Sequence, residues 1–175
     1  YRSQTLYEYN DNGQLITDID YATTGRVSRR VFYNYNVNGN CISWSQTDSA
    51  GVIYSITTFV YDTTHNIIQE IDSSLVSKET SITLNYFNNA GQLIEQQTNS
   101  RYKHTPTQSN KRYTYDKYEN KLSVVNTWID ATTGTLKTIK TTYKYRYDIT
   151  GNWVERKAYN DGKLVARDIH EIEYY

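Results

Sequence analysis

Apolar and polar residues take turns along most of this chain. Runs rich in Thr, Tyr, Val and Ile alternate between the two classes and are broken by clusters of Asn, Asp, Ser, Thr and Gly. Successive side chains of a β-strand point to opposite faces, so the alternation predicts half-buried strands and the clusters predict turns. No stretch sustains apolar residues at i, i+4 and i+7, and helices are not expected.

The alternation itself recurs. Six segments carry an aromatic, a turn and then an apolar pair: YEYNDNGQLI from Tyr7, YNYNVNGNCI from Tyr33, FVYDTTHNII from Phe59, NYFNNAGQLI from Asn85, YTYDKYENKL from Tyr113 and YRYDITGNWV from Tyr145. Their anchor aromatics, Tyr9, Tyr35, Tyr61, Phe87, Tyr115 and Tyr147, are spaced 26, 26, 26, 28 and 32 residues apart. Each segment reads as a β-hairpin. Asn or Asp leads the turn (Asn10, Asn36, Asp62, Asn88, Asp116, Asp148), where its side chain can cap the turn backbone. Three residues later stands Gly13, Gly39, Gly91 or Gly151, suited to the left-handed position of a three-residue loop with a bulge. His65 and Glu119 replace that glycine in the third and fifth repeats, where a strained or altered turn is expected.

A second set of turn signals, ending at Gly25, Gly51 and Gly134 and in Asn160–Gly162, falls midway between the first. Turns roughly every 13 residues leave strands of about 8–10, a normal length. The expected fold is therefore all-β: an antiparallel meander of about twelve strands in one domain, residues 1–175, built from six hairpins of about 26 residues. Ser73–Thr80 and Asn99–Asn110, the latter with the chain's single proline, Pro106, read as longer loops. A β-propeller does not fit, since its blades need four strands in about 40–45 residues.

A three-residue loop fixes the pairing. Tyr9 faces Leu15 and Glu8 faces Ile16, and the same reasoning gives Tyr35–Cys41, Tyr61–Ile67, Phe87–Leu93, Tyr115–Lys121 and Tyr147–Trp153. A second apolar column, Ile16, Ile42, Ile68, Ile94, Leu122 and Val154, is expected on the other face. A flat sheet would leave one column wet, so a strongly curved open sheet is expected, with a closed up-and-down barrel as the alternative.

Composition sharpens this picture. Only 37% of the 175 residues are apolar, and Tyr alone supplies 19 of them, so the core material is thin in aliphatics and rich in rings that keep a wet hydroxyl. An aromatic content of 14% argues against disorder. Net charge is zero, which removes a global attraction to nucleic acid or anionic lipid. The halves differ: residues 1–87 hold five basic and nine acidic side chains, and residues 88–175 hold fourteen and ten. Cys41 is alone, so no intrachain disulfide can form, and a small buried hydrophobe is its expected role. No apolar run is long enough to span a membrane and no signal peptide is visible; the chain lacks Met and opens inside a repeat, so its native start is expected upstream.

The hairpin segments resemble the YD repeats of the RHS (rearrangement hotspot) family, whose signature is Tyr-Asp, two variable residues, Gly, and an apolar residue two positions on. YDITGNWV at Tyr147–Val154 matches best; YNDNGQLI and YNVNGNCI carry Asn for Asp, and YDTTHNII and YDKYENKL keep Tyr-Asp but lose the Gly. The resemblance implies a β-sheet strip on a protein exported by bacteria, here similar to the short secreted or lipid-anchored members, with any lipid anchor on the missing N-terminus. It places the chain outside the cytoplasm (periplasm, cell surface or medium). The final DIHEIEYY reads as a closing edge strand whose charges discourage sheet extension.

Candidate chemistry is sparse. His65, His104 and His170 lie far apart, without metal-ligand spacing, and no metal or cofactor is expected. Asp18/Asp20 and Glu70/Asp72 share a strand face and could suit acid–base work, but such pairs are unavoidable with 19 acids on a dozen strands. No nucleophile elbow, P-loop or dinucleotide fingerprint occurs, so no catalytic residue is assigned. The nearest approach to a nucleic-acid stripe, Arg101 to Arg112 and Lys137 to Arg146 with Tyr143 and Tyr145, does not predict that partner. Trp44, Trp128, Tyr33, Tyr113 and Tyr145 are the rings that could stack on sugars or anchor a protein, or simply cover a thin sheet. The expected function is a non-catalytic extracytoplasmic module acting as scaffold or protein-interaction surface. The alternatives are a carbohydrate-binding module using those rings and an enzyme of unknown type.

Overall fold

A computed structural model describes residues 3–64, 66–102 and 105–172, apart from the side chains at 102, 105 and 106. Its thirteen strands are β1 (Gln4–Tyr9), β2 (Leu15–Tyr21), β3 (Val27–Tyr35), β4 (Cys41–Thr47), β5 (Ile53–Tyr61), β6 (Ile67–Ser74), β7 (Glu79–Phe87), β8 (Leu93–Tyr102), β9 (Thr105–Tyr115), β10 (Lys121–Ile129), β11 (Leu136–Tyr147), β12 (Trp153–Asn160) and β13 (Lys163–Ile169). Strand order follows chain order from β1 to β13, and among the described residues no pairing joins β13 back to β1, so the meander is open. By contacts the chain divides into two units, Tyr1–Leu84 with Asn99–Pro106, and Asn85–Thr98 with Thr107–Tyr175.

The expected turn chemistry is present in every repeat. In the first, Asn10 N donates to the Gln14 carbonyl and Gly13 N to the Asn10 carbonyl, both at 2.9 Å. The Asn10 Oδ1 accepts from the amides of Asn12 and Gln14 at 3.0 and 2.9 Å. The Asn or Asp side chain takes the same two amides at Asn36, Asp62, Asn88, Asp116 and Asp148. Among the described residues, the residue three past the leader sits at positive φ, +74° at Gly13, a conformation that glycine adopts without the penalty other residues carry. Glu119 holds the same position at φ +67° and so carries the expected strain. The His65 turn position lies outside the described residues, as does His104.

The anchor pairs lie in the register read from the sequence: Tyr9–Leu15, Tyr35–Cys41, Tyr61–Ile67, Tyr115–Lys121 and Tyr147–Trp153 face one another. The next pair differs. Glu8 faces Thr17 rather than Ile16, because the strand bulges immediately after Leu15 and leaves Ile16 as the extra residue. No member of the second apolar column is buried: Ile42, Ile94 and Leu122 are 39%, 39% and 40% exposed, and Ile16, Ile68 and Val154 are half-buried.

Between repeats a further bond appears that the hairpin pattern alone does not contain. The β2–β3 ladder ends at Thr17–Phe32, two residues short of Leu15, and the hydroxyl of Tyr35 donates to the Leu15 carbonyl at 2.8 Å. The β4–β5 ladder ends at Ser43–Thr58, and Tyr61 serves the Cys41 carbonyl at 2.6 Å. Tyr115 does the same for Leu93 at 2.7 Å. In the last repeat the ladder ends at Ser123–Thr142, and the residue three positions on is Tyr145, which bonds the Lys121 carbonyl at 3.0 Å. The 32-residue spacing carries the anchor Tyr147 two residues past this place, and it bonds Asp116 and Asn120 of the preceding turn instead.

Several expectations need correction. Ser73–Thr80 is not a loop: β6 and β7 pair through Ser73–Thr80 and Ser74–Glu79, with a tight turn at 75–78 whose Lys78 has φ +57°. Both faces are polar there, so the period-2 signal was missing while the strands were not. Of Asn99–Asn110, residues 99–102 belong to β8 and 105–110 to β9, while 103 and 104 lie outside the described residues; Pro106 stands second in β9, near a strand start where a missing N–H is tolerated. The thirteenth strand follows the Asp161–Gly162 turn, whose φ values of +46° and +85° suit a two-residue hairpin. It takes in only Asp168 and Ile169 of the expected closing segment; His170–Ile172 lie beyond the strand, and residues 173–175 are outside the described residues.

Glu119 gives the test. Glu119→Gly relieves a left-handed φ at the cost of a looser unfolded chain, and the net expected gain is about 0.5–1 kcal/mol of stability. A rise in the urea midpoint at unchanged slope is the expected reading; a fall would show that Glu119 is held there by something other than the turn.

Candidate functional site

Paired residues on adjacent strands share a face, so the ladders define rows across the first unit. Trp44 on β4 faces Thr57 on β5, Thr57 faces Asp72 on β6, and Asp72 faces Ser81 on β7. Beside this row runs Gln46–Ser55–Ser74–Glu79. The two rows help to line a cleft of about 310 Å³ whose walls include Trp44, Thr57, Asp72, Ser74, Glu79 and Arg101. Thr57 is 2% exposed, and its hydroxyl donates to Asp72 Oδ1 at 2.5 Å. A flat indole beside hydroxyls, carboxylates and a guanidinium can stack on one face of a ligand and hydrogen-bond its rim.

The carboxylate pairs differ in their surroundings. Asp20 is bound by Arg29 (Nε 2.9 Å, Nη2 2.8 Å) and by the Thr5 hydroxyl at 2.8 Å. Asp18 accepts from the Tyr33 hydroxyl at 2.8 Å, while its buried Oδ1 has no hydrogen bond and lies 3.6 Å from Arg29 Nη2. This pair is engaged in holding β2 to β3. Glu70 lies on the Asp72 side of β6; burial raises its pKa, with a smaller push from the Asp72 charge. Among the described residues no group of three or more His, Cys, Asp or Glu is placed to hold a metal ion.

Of the rings singled out in the sequence, Tyr33 and Trp44 face each other across β3 and β4, and Trp44 lines the cleft. Trp128 and Tyr113 lie in the second unit, on β10 and β9, opposite Ser109 and Val124; the Lys121 ammonium sits 5.2 Å from the Tyr113 ring centre. Tyr145 is flanked by Tyr147 at 6.0 Å and Trp153 at 6.3 Å, and Trp153 stacks on His170 at 3.9 Å, so these rings pack chiefly on one another. Cys41 is half-buried, its Sγ donates to the Ser43 carbonyl at 3.4 Å, and burial pushes its thiol pKa up. The sequence reading names Asp72 only as half of a carboxylate pair; Thr57 and Glu79 are not singled out there, and Glu79 falls in the segment Ser73–Thr80 that reads as a loop. Counting the turn-to-turn distance from Trp44 would have placed Thr57 opposite it.

No family model matches the chain, and no curated protein matches it. No helix among the described residues is long and apolar enough to cross a membrane.

Two half-buried phenols provide a pH test. Burial, then the hydrogen bond to Asp18, pushes the Tyr33 phenol up to about 12 from 10.0; burial, then the bond to Asp116, does the same for Tyr147. In the unfolded chain both ionise near the ordinary value, so their contribution to stability is whole below pH 10 and drains away as pH rises toward 12. Tyr33→Phe should flatten the fall in urea midpoint across that window. Equal slopes for the two proteins would contradict the assignment.

Proposed function

We propose that this chain is a non-catalytic β-repeat module that works outside the cytoplasm as a scaffold or protein-interaction surface. One observation carries the reading: the apolar side chains stand largely at the surface. Among the described residues the buried hydrophobic side chains are Val31 and Ala158 alone, whereas Ile42, Ile94 and Leu122 occupy equivalent exposed places after the second, fourth and fifth repeat turns, and Ile16, Ile68 and Val154 at the same place in the other three are half-buried. Repeated exposed apolar positions on a polar sheet are the mark of a contact surface. The extracytoplasmic placement and the YD-repeat membership rest on the resemblance of the hairpin motifs.

The cleft beneath Trp44 favours a second reading, a carbohydrate-binding module, because it joins a ring to many hydroxyl and carboxylate groups. Two measurements separate them. A photo-cross-linking residue at position 94, in protein directed to a bacterial periplasm, is expected to give discrete protein adducts, while one at the turn position 37 gives none. A panel of immobilised glycans is expected to show no saturable binding. Saturable sugar binding that is lost in Trp44→Ala with an unchanged circular dichroism spectrum would replace the first reading by the second.

A further inference from the structure

Rows of paired residues also run across the second unit. Lys144 on β11 faces Lys157 on β12, and Lys157 faces Arg167 on β13. Two residues along, Arg146 faces Glu155. Toward the other end of β11, Lys140 faces Val125, which in turn faces Arg112 on β9. Alternate residues of a strand share a face, so Arg112, Lys140, Lys144, Arg146, Lys157 and Arg167 stand on one side of the sheet.

The carboxylates that meet them lie deeper. Glu155 is buried and is shared by Arg167 at 2.6 Å, Lys157 at 3.3 Å and Arg146 at 3.6 Å. Glu95 lies 3.6 Å from Arg112, and Asp161, in the turn after β12, accepts from the Lys140 amide at 3.3 Å. Asp168 is on the opposite side, paired with Arg156. Of the six cations, Lys157 is half-buried and the other five are exposed. The outer layer of this face is therefore positive. Lys144 and Lys157 stand directly opposite each other, their Cβ atoms about 5 Å apart, an arrangement of like charges that costs a sheet stability.

We propose that this face of the second unit binds an acidic polypeptide segment, whose carboxylates lie over Arg112, Lys140, Lys144 and Lys157. Charge complementarity selects an anionic partner, which relieves the repulsion between the facing lysines. The neighbouring side chains narrow the class. Thr127, Thr138, Ser123 and Thr142 stand between the cations and offer hydroxyls, not the apolar side chains that enter a lipid surface. The ring beside Lys144 is Tyr159, half-buried with the ammonium 5.3 Å from its centre, so it offers no open platform for a nucleic-acid base. Lys144 and Arg146 are two residues apart on one strand, about 7 Å, the repeat of same-side carboxylates in an extended acidic segment. The inference rests on the interaction-module reading and names the partner's chemistry.

The probe is a capped, labelled decaglutamate peptide, titrated into the whole chain and followed by fluorescence anisotropy and by amide NMR shifts. Saturable binding with shifts centred on Lys140–Arg146 and Glu155–Lys157 is expected. It should fade as salt shortens the screening length from about 10 Å at 0.1 M to about 3 Å at 1 M. Lys140→Gln and Lys144→Gln should each weaken it about two- to fivefold, the range of one exposed ion pair, while Lys144→Arg binds as the parent does, all with an unchanged circular dichroism spectrum. No binding at millimolar peptide, shifts centred elsewhere, or indifference to both glutamine variants would overturn the proposal. A sulfated oligosaccharide, an oligodeoxynucleotide or anionic lipid vesicles binding this face more tightly than the peptide at equal charge would overturn the choice of partner. Failure of the peptide with adducts still formed at position 94 would remove the acidic partner and leave the interaction module standing, whereas loss of both would remove the two together.

Discussion

Where two neighbouring repeats part, the main-chain ladder stops before the bulge, and the next carbonyl is left without an amide to pair with. An unpaired carbonyl shielded from water costs free energy. The tyrosine hydroxyl that reaches Leu15, Cys41 or Leu93 supplies the missing donor. One side chain thus closes a backbone vacancy at the junction between repeats. The constraint is geometric as well. The hook must stand three residues past the last ladder pair, so when the spacing lengthens to 32 the bond passes from Tyr147 to Tyr145 and the anchor itself finds a new partner in Asp116.

With so little buried hydrocarbon, cohesion falls to polar and cross-strand contacts. Thr17, Thr47, Thr57, Asp18 and Glu155 are buried alongside Val31 and Ala158. Glu155 is surrounded by Arg167, Lys157 and Arg146, and its carboxyl is held below its usual range chiefly by the hydrogen bond from Arg167. Polar groups in such positions specify register more than they add stability, because a slipped strand would strand a charge. No hairpin of this kind suffices alone. Each gains its stability from the neighbour it pairs with, the nearest-neighbour logic of repeat proteins.

Much of the fold was legible because the turn signals are local. An Asn or Asp followed by a left-handed residue three places on dictates the loop, and the loop dictates the anchor pair. What the sequence did not disclose depends on neighbours. The bulge at Ile16 adds one residue that moves Glu8 to Thr17, a shift no alternation pattern reports. The turn end of the β6–β7 hairpin, Ser73–Ser74 against Glu79–Thr80, is polar on both faces, so that stretch of strand carries no hydrophobic rhythm. The hydrogen bond from Tyr35 to Leu15 spans 20 residues and becomes visible only once β2 and β3 lie side by side. The same holds for the candidate site: Trp44 stood out as a ring, but the Thr57 and Asp72 beside it required the cross-strand register. Functional residues stayed obscure in the sequence because the repeat motif specifies a hairpin, and any binding chemistry sits at the variable positions between motifs.

The tyrosine hydroxyls carry the account, and their protons can be observed directly. In NMR spectra of the intact chain near neutral pH, a hydroxyl proton bound to a carbonyl exchanges slowly enough with water to appear, and it shifts the carbonyl carbon when deuterium replaces it. Resolved hydroxyl protons for Tyr35, Tyr61 and Tyr115, with isotope shifts at the carbonyl carbons of Leu15, Cys41 and Leu93 and none assigned to Tyr9, are expected. Hydroxyl protons of Tyr35, Tyr61 and Tyr115 that merge with the water signal as that of Tyr9 does would contradict it.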